Sequence, residues 1–182
     1  MENYLRDNGR DVRVIENCLN GRRTAWDDPF KPGRNGVEGL AQVIEMNSPL
    51  ELVIIMLGTN DFQCVHDNNA WASAQGMARL ISIIKSAPIE PGMPIPGILV
   101  VAPPRIKQPK NDMTEKFEGA AQKSAGLHEE LIKITRDQSV YFYDAAKVTE
   151  SSPVDGIHLD VNQHSDLGKA IASEILEKIL EE

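Results

Sequence analysis

Cysteine is almost missing from this chain. The two present, Cys18 and Cys64, make no disulfide framework and have no metal-ligand spacing. Long hydrophobic runs are missing too. The longest unbroken apolar stretch, Leu52 to Leu57, is far too short to span a bilayer. The opening residues, Met1-Glu2-Asn3-Tyr4-Leu5-Arg6-Asp7, are charged and hold no hydrophobic segment of a secretory signal. Positive charge is in deficit: the net charge is −8, with the acidic residues spread along the chain. A basic footprint for nucleic acid or an anionic membrane is therefore lacking, and neither partner is expected. These absences predict a reduced, cytoplasmic protein, with an upstream signal left open because the chain reads as if it starts late.

What is present is the material of one ordinary globular domain over residues 1–182. Apolar residues make up 41% and charged residues 25% of the sequence, enough for a full core. Apolar runs of strand length alternate with stretches of helical periodicity, the pattern of a parallel sheet with crossover helices. The strand candidates are Val12–Leu19, Leu52–Leu57, Ile98–Ala102 and Val140–Asp144. Leu52–Leu57 is apolar at every position, which suits a central parallel strand covered on both faces. Helical stripes run through Val37, Leu40, Ala41 and Ile44, and through Trp71, Ala74, Ala78, Ile81 and Ile84. Two more run through Phe117, Ala121, Leu127, Leu131 and Ile134, and through Leu167, Ile171, Ile175 and Ile179. Ala87 to Pro96, rich in proline, is a surface loop, and Met1–Asn8 reads as the last turns of a helix. The expected fold is an open, doubly wound α/β domain with ligands at the carboxyl ends of its strands.

Three constellations fall at such ends. Gly58-Thr59-Asn60-Asp61 follows the apolar run Leu52–Leu57; an asparagine there can aim its amide donor at a developing oxyanion. All four are also turn residues, and on position alone the turn is favoured. Asp155-Gly156-Ile157-His158-Leu159-Asp160 lies between the last strand and the last helix. A carboxylate three residues before a histidine can fix one ring nitrogen and leave the other as a base; an Asp-Gly turn with a solvated histidine is the plain alternative. Asp155, Asp160 and His158 also suggest a metal site, but no second ligand cluster supports one. His66, His128 and His164 lack such a partner and read as surface or helix-face residues. In Glu16–Thr24, Gly21 can present a backbone N–H to a ligand or simply supply positive φ. Arg22 and Arg23 read as surface ion-pair residues.

The order of these blocks resembles the SGNH (GDSL-type) hydrolases: an Asn-x-x-x-Gly segment, a strand ending in GTND, then DGIH and one last helix. The combination Val53–Asp61, Ile98–Pro104 and Asp155–His158 looks closest to the bacterial arylesterase and acyltransferase subgroup. The resemblance implies a three-layer, doubly wound, flavodoxin-like and mostly parallel sheet. It implies a carboxylic ester hydrolase acting on short acyl or aryl esters, with acyl transfer as a variant and no metal or organic cofactor. By position, Gly21 and Asn60 become oxyanion donors, His158 the general base and Asp155 its orienting acid. Cys18 departs from the family pattern, standing where a glycine is frequent.

The nucleophile is the larger departure. The family's serine sits in a Gly-Asp-Ser block after the first strand, and no Gly-Asp-Ser or Gly-x-Ser-x-Gly occurs here. Ser151 and Ser152 lie near Asp155 in sequence but on the wrong side of the site. The expectation is a domain lacking its first strand at the N-terminus and nearly inert as it stands. Such a loss would leave Val12–Leu19 and Leu52–Leu57 facing a gap. Buried unpaired backbone groups cost roughly 1–3 kcal/mol each, so the gap predicts a homo-oligomer or a shift of Val12–Leu19 that separates Gly21 from Asn60. Three other readings compete: a pseudo-hydrolase binding a small ligand or protein partner, a flavodoxin-like phosphate or nucleotide binder, and a structural or assembly protein. The second lacks a glycine-rich loop opening a helix.

Overall fold

The computed structural model describes residues 1–179. Helix α1 (Glu2–Asp7) opens the chain and α2 (Leu40–Asn47) leads to strand β1 (Leu52–Ile55). Helix α3 (Ala70–Lys85) crosses to β2 (Gly97–Ala102). Three helices, α4 (Met113–Lys116), α5 (Ala120–Lys123) and α6 (Leu127–Asp137), cross to β3 (Tyr141–Asp144), and α7 (Val161–Lys178) closes the described chain. The strands form a parallel sheet in the order β1-β2-β3.

The apolar run Ile98-Leu99-Val100-Val101, β-branched at three of its four positions, explains the middle position of β2: from Ile98 to Ala102 all of it is buried, on both faces. Alternate side chains serve two cores. Ile98, Val100 and Ala102 pack with Ile44 of α2, with Met77, Leu80, Ile81 and Ile84 of α3, and with Leu131 of α6. Leu99 and Val101 pack with Leu5 of α1, Tyr143 of β3, and Leu167, Ile171 and Ile175 of α7. The result is the expected three-layer flavodoxin-like arrangement, with all three described strands ending at one rim. No helix among the described residues is long and apolar enough to cross a membrane.

Several sequence expectations need correction. Val12–Leu19 is not a strand. Its backbone bonds are scattered rather than laddered: Val12 N–H to the Arg10 carbonyl, Val14 N–H to the Glu2 carboxylate, and the Val12, Asn17 and Leu19 carbonyls accepting from Arg6 or Arg22, while Ile15 (44% exposed) and Leu19 (38%) face outward. A strand exists only with a neighbour for its backbone groups, and no described strand pairs with this segment. For the same reason the Leu52–Leu57 run is not central: β1 has β2 on one side, no described strand on the other, and stops at Ile55. Trp71 does not share the buried face of α3, being 60% exposed; Met77 takes that place. Beyond Phe117 the stripe to Ile134 is divided between two helices, α5 and α6, each starting after a left-handed glycine, Gly119 and Gly126.

Candidate active site

The Asp-Gly-Ile-His loop is held from below by the segment that leaves β2. Lys107 N–H donates to the Gly156 carbonyl (2.9 Å) and Lys110 N–H to that of Asp155 (3.0 Å). Ser151 Oγ donates to the Arg105 carbonyl (2.7 Å), and Asn111 Nδ2 to that of Val154 (2.8 Å). Gly156 is required by this contact: its φ is +79°, and a Cβ there would lie 2.5 Å from the Gln108 carbonyl oxygen. Within the loop, Asp155 Oδ1 accepts from the N–H groups of Ile157 (2.8 Å) and His158 (2.9 Å), and Oδ2 meets His158 Nδ1 at 2.6 Å. Burial works against the Asp155 charge, but the bonds from the His158 ring and the two N–H groups outweigh it and hold the carboxyl below its usual range. The His158 side chain is 55% exposed, open to solvent and to a ligand. The expected pair is therefore in contact.

The Gly21 and Asn60 segments also meet. Asn60 Nδ2 donates to the Arg22 carbonyl (3.3 Å), one residue from Gly21, whose φ of +80° is the positive value anticipated. Among the described residues, no hydrogen bond joins this corner to the Asp155–His158 pair.

What ties the corner together departs from the sequence expectation. Arg23 is not a surface residue; it is fully buried. Its Nη1 donates to Asp28 Oδ2 (2.8 Å) and to the Gly21 carbonyl (3.1 Å), its Nη2 to Gln63 Oε1 (2.6 Å), and its Nε to His66 Nε2 (2.7 Å). Gln63 Nε2 in turn donates to Asn60 Oδ1 (2.8 Å). His66 is thus partnered rather than a free surface residue, and burial together with the Arg23 charge pushes its pKa down. Beside it, fully buried Asp61 accepts from Thr24 N–H (2.9 Å), Thr24 Oγ1 (2.6 Å) and Ser73 Oγ (2.6 Å). Burial nevertheless pushes the Asp61 carboxyl up, against those bonds and the Arg23 charge. Arg-Thr after a glycine, facing Asp-x-Gln some forty residues on, is a pattern that one sequence cannot flag, because the partners meet only through the fold.

A pocket of about 240 Å³ lies at the carboxyl ends of β2 and β3, lined by residues that include Thr59, Phe62, Arg105, Ile106, Ser124 and His128. His128 lies on α6 as a helix-face residue would: its Nδ1 is 3.2 Å from Asp144 Oδ2 without hydrogen-bond geometry, and its ring meets Phe142 edge-on. Ser151 and Ser152, nearest the dyad in sequence, are buried with their hydroxyls committed, Ser151 to Arg105 as above and Ser152 to Asp160 Oδ1 (2.8 Å). Among the described residues, no group of three or more His, Cys, Asp and Glu side chains converges as metal ligands would.

No family model and no curated protein matches the sequence. Solved structures do. An inhibitor-bound aryl esterase from M. smegmatis superposes with a TM-score of 0.88 at 34% identity, over 95% of this chain and 82% of that one. A carbohydrate acetylesterase from Sinorhizobium meliloti gives 0.88 at 31% identity, over 96% and 81%. A carbohydrate acetylesterase family member from the same organism gives 0.90 at 28%, over 98% and 85%.

Proposed function

The chain belongs to the SGNH hydrolases, in the group of arylesterases and carbohydrate acetylesterases, and we propose that it carries the base and oxyanion side of a carboxylic ester hydrolase for short acyl or aryl esters. The observation that carries this reading is the 2.6 Å contact between Asp155 and His158 Nδ1. A carboxylate kept ionised by two backbone N–H groups holds the proton on Nδ1 and leaves Nε2 as the base. His158 would take the proton of an attacking serine hydroxyl. The tetrahedral oxyanion would be met by the Gly21 N–H and Asn60 Nδ2, and water would then open the acyl-enzyme with His158 again as base. The pocket supports the reading: its wall at Arg105–Ile106 adjoins the segment bracing the dyad loop, and Thr59 adjoins Asn60.

The serine is the finer part of the proposal. No Gly-Asp-Ser occurs in these residues, and the hydroxyls of Ser151 and Ser152 are engaged elsewhere, so residues 1–182 alone are proposed to be nearly inert. That same commitment favours, as the second reading, a non-catalytic relative that binds a ligand in the pocket. An aryl acetate assay separates the two. Residues 1–182 should turn over no faster than their His158→Ala variant, and a preceding strand ending in Gly-Asp-Ser should create activity that depends on His158 and Asn60. No activity with that strand in place would favour the binding reading; His158-dependent turnover without it would reveal another nucleophile. Self-association belongs to the same proposal, a second copy covering the open side of β1. Sedimentation at micromolar concentration should show a species larger than a monomer, and a compact monomer would refute it.

A further inference from the structure

An asparagine amide is nearly symmetric in shape and opposite in chemistry: a half-turn about its last bond exchanges acceptor Oδ1 for donor Nδ2. An oxyanion can use only the donor. At Asn60 the Arg22 carbonyl, 3.3 Å from Nδ2, favours the donor on one side, and Gln63 sets the other side. Gln63 faces Asn60 with the same ambiguity, but Arg23 has none, since a guanidinium carries five donors and no acceptor. Arg23 Nη2 at 2.6 Å from Gln63 forces the glutamine oxygen toward the arginine. The glutamine NH₂ must then face Asn60, where it donates to Oδ1 at 2.8 Å. Asn60 is left with Nδ2 pointing to the Gly21–Arg22 turn. Because Arg23 also donates to the Gly21 carbonyl, one buried cation holds both arms of the corner.

We propose that Arg23, acting through Gln63, is a positioning residue that fixes the polarity of the Asn60 amide, and that neutral His66 is what holds Arg23 in place. Arg23 Nε donates to His66 Nε2 at 2.7 Å, which requires a lone pair there and the ring proton on Nδ1. Protonation of His66 removes that acceptor and sets a cation against the guanidinium. The charged groups facing His66 are Arg23, Asp28 bound to Arg23, and Lys123, whose Nζ donates to the His66 carbonyl (3.2 Å) and pairs with Asp67 (3.5 Å). The catalytic meaning of the amide's polarity rests on the esterase reading; the polarity itself does not.

The test is nuclear magnetic resonance on the ¹⁵N-labelled 182-residue chain, reading the side-chain NH₂ of Asn60. Gln63→Glu keeps the acceptor for Arg23 but cannot donate, so two acceptors would face each other and the Asn60 amide should reverse. Its NH₂ protons should lose their Overhauser contacts to Arg22 and gain contacts to the side chain introduced at position 63. Gln63→Met, similar in volume and without polarity, leaves only the long bond to the Arg22 carbonyl to select the donor, and should let the reversed orientation become detectable. In the unaltered chain the Asn60 signals should move with the titration of the His66 ring, and that response should vanish in His66→Gln. An amide that keeps its Arg22 contacts in both Gln63 variants, or that ignores His66 while following His158, would overturn the proposal. The readout is independent of turnover. A reversing amide alongside an inactive Gly-Asp-Ser-bearing form would keep the positioning chain and sink the esterase reading; the converse pair of results would do the opposite.

Discussion

Two neighbouring segments, residues 11–20 and 21–24, are treated by the fold in opposite ways. The first is mostly exposed, with little backbone hydrogen bonding. The second is tied across some forty residues of sequence to Asp61, Gln63 and His66 through bonds of 2.6–2.9 Å, with Arg23 and Thr24 fully buried. Neither segment belongs to the sheet; the second is held by an isolated parallel bridge between Arg23 and Asn35 together with its side-chain bonds. That bridge and a buried polar network fix the Gly21–Asn60 corner while the chain leading into it stays open. This is why the separation of Gly21 from Asn60, one of the two outcomes expected from an unpaired Val12–Leu19, is not seen.

The comparison can be broken most severely at Arg23. Arg23→Ala would strand buried Gln63 and the largely covered Asp28 carboxylate and should cost roughly 3–5 kcal/mol, the usual loss on removing one side of a buried ion pair; urea unfolding would measure it. Gly76→Ala should cost less, about 1–3 kcal/mol, as an overpacking change. A Cβ at Gly76 would lie 2.1 Å from Thr24 Oγ1, so α3 or the 21–24 segment would have to move. Next comes pH. His66 has a folded pKa below its ordinary 6.5, so the unfolded chain binds that proton more readily. The stability owed to neutral His66 is present above about pH 6.5 and falls away as pH drops through the folded value. His66→Gln should flatten this part of the profile, and an unchanged slope would remove His66 from the network. The smallest effect belongs to the open segment: Ile15→Lys should change stability by no more than roughly 0.5 kcal/mol. A larger loss would mean that the segment is covered in solution. Hydrogen exchange should agree, with the amides of 15–20 exchanging fast and that of Thr24 slowly.

What is legible in the sequence follows from range. The strands β2 and β3 match their sequence patterns within one residue and the stripe from Leu167 to Ile175 lies inside α7, because apolar runs and i, i+4 stripes are local signals. The Asp155–His158 contact is legible for the same reason: three residues span it, and the loop's own N–H groups complete it. Val12–Leu19 has strand composition, yet composition cannot supply a neighbour. Leu52–Leu57 looks central because it is wholly apolar, and it lies at the described edge instead. Arg23, Gln63 and His66 escape a reading of the sequence because an arginine beside an arginine is usually solvated. Only the fold brings Asp28, Gln63 and His66 around the one that is not. Asp144 with His128 escapes likewise, since nothing in the helix holding His128 announces the strand end it faces.

The segment after β2 does two jobs at once: Arg105 and Ile106 form a wall of the pocket, while the stretch from Arg105 to Asn111 clamps the loop bearing His158 through several hydrogen bonds. Pocket wall and imidazole loop therefore hang on one segment. A substitution at Ile106 that reshapes the cavity would be felt at the imidazole, and any opening of the pocket along this side would swing the histidine away with it. Cavity shape and imidazole position share one segment, so a change in what the pocket admits would also be felt at His158.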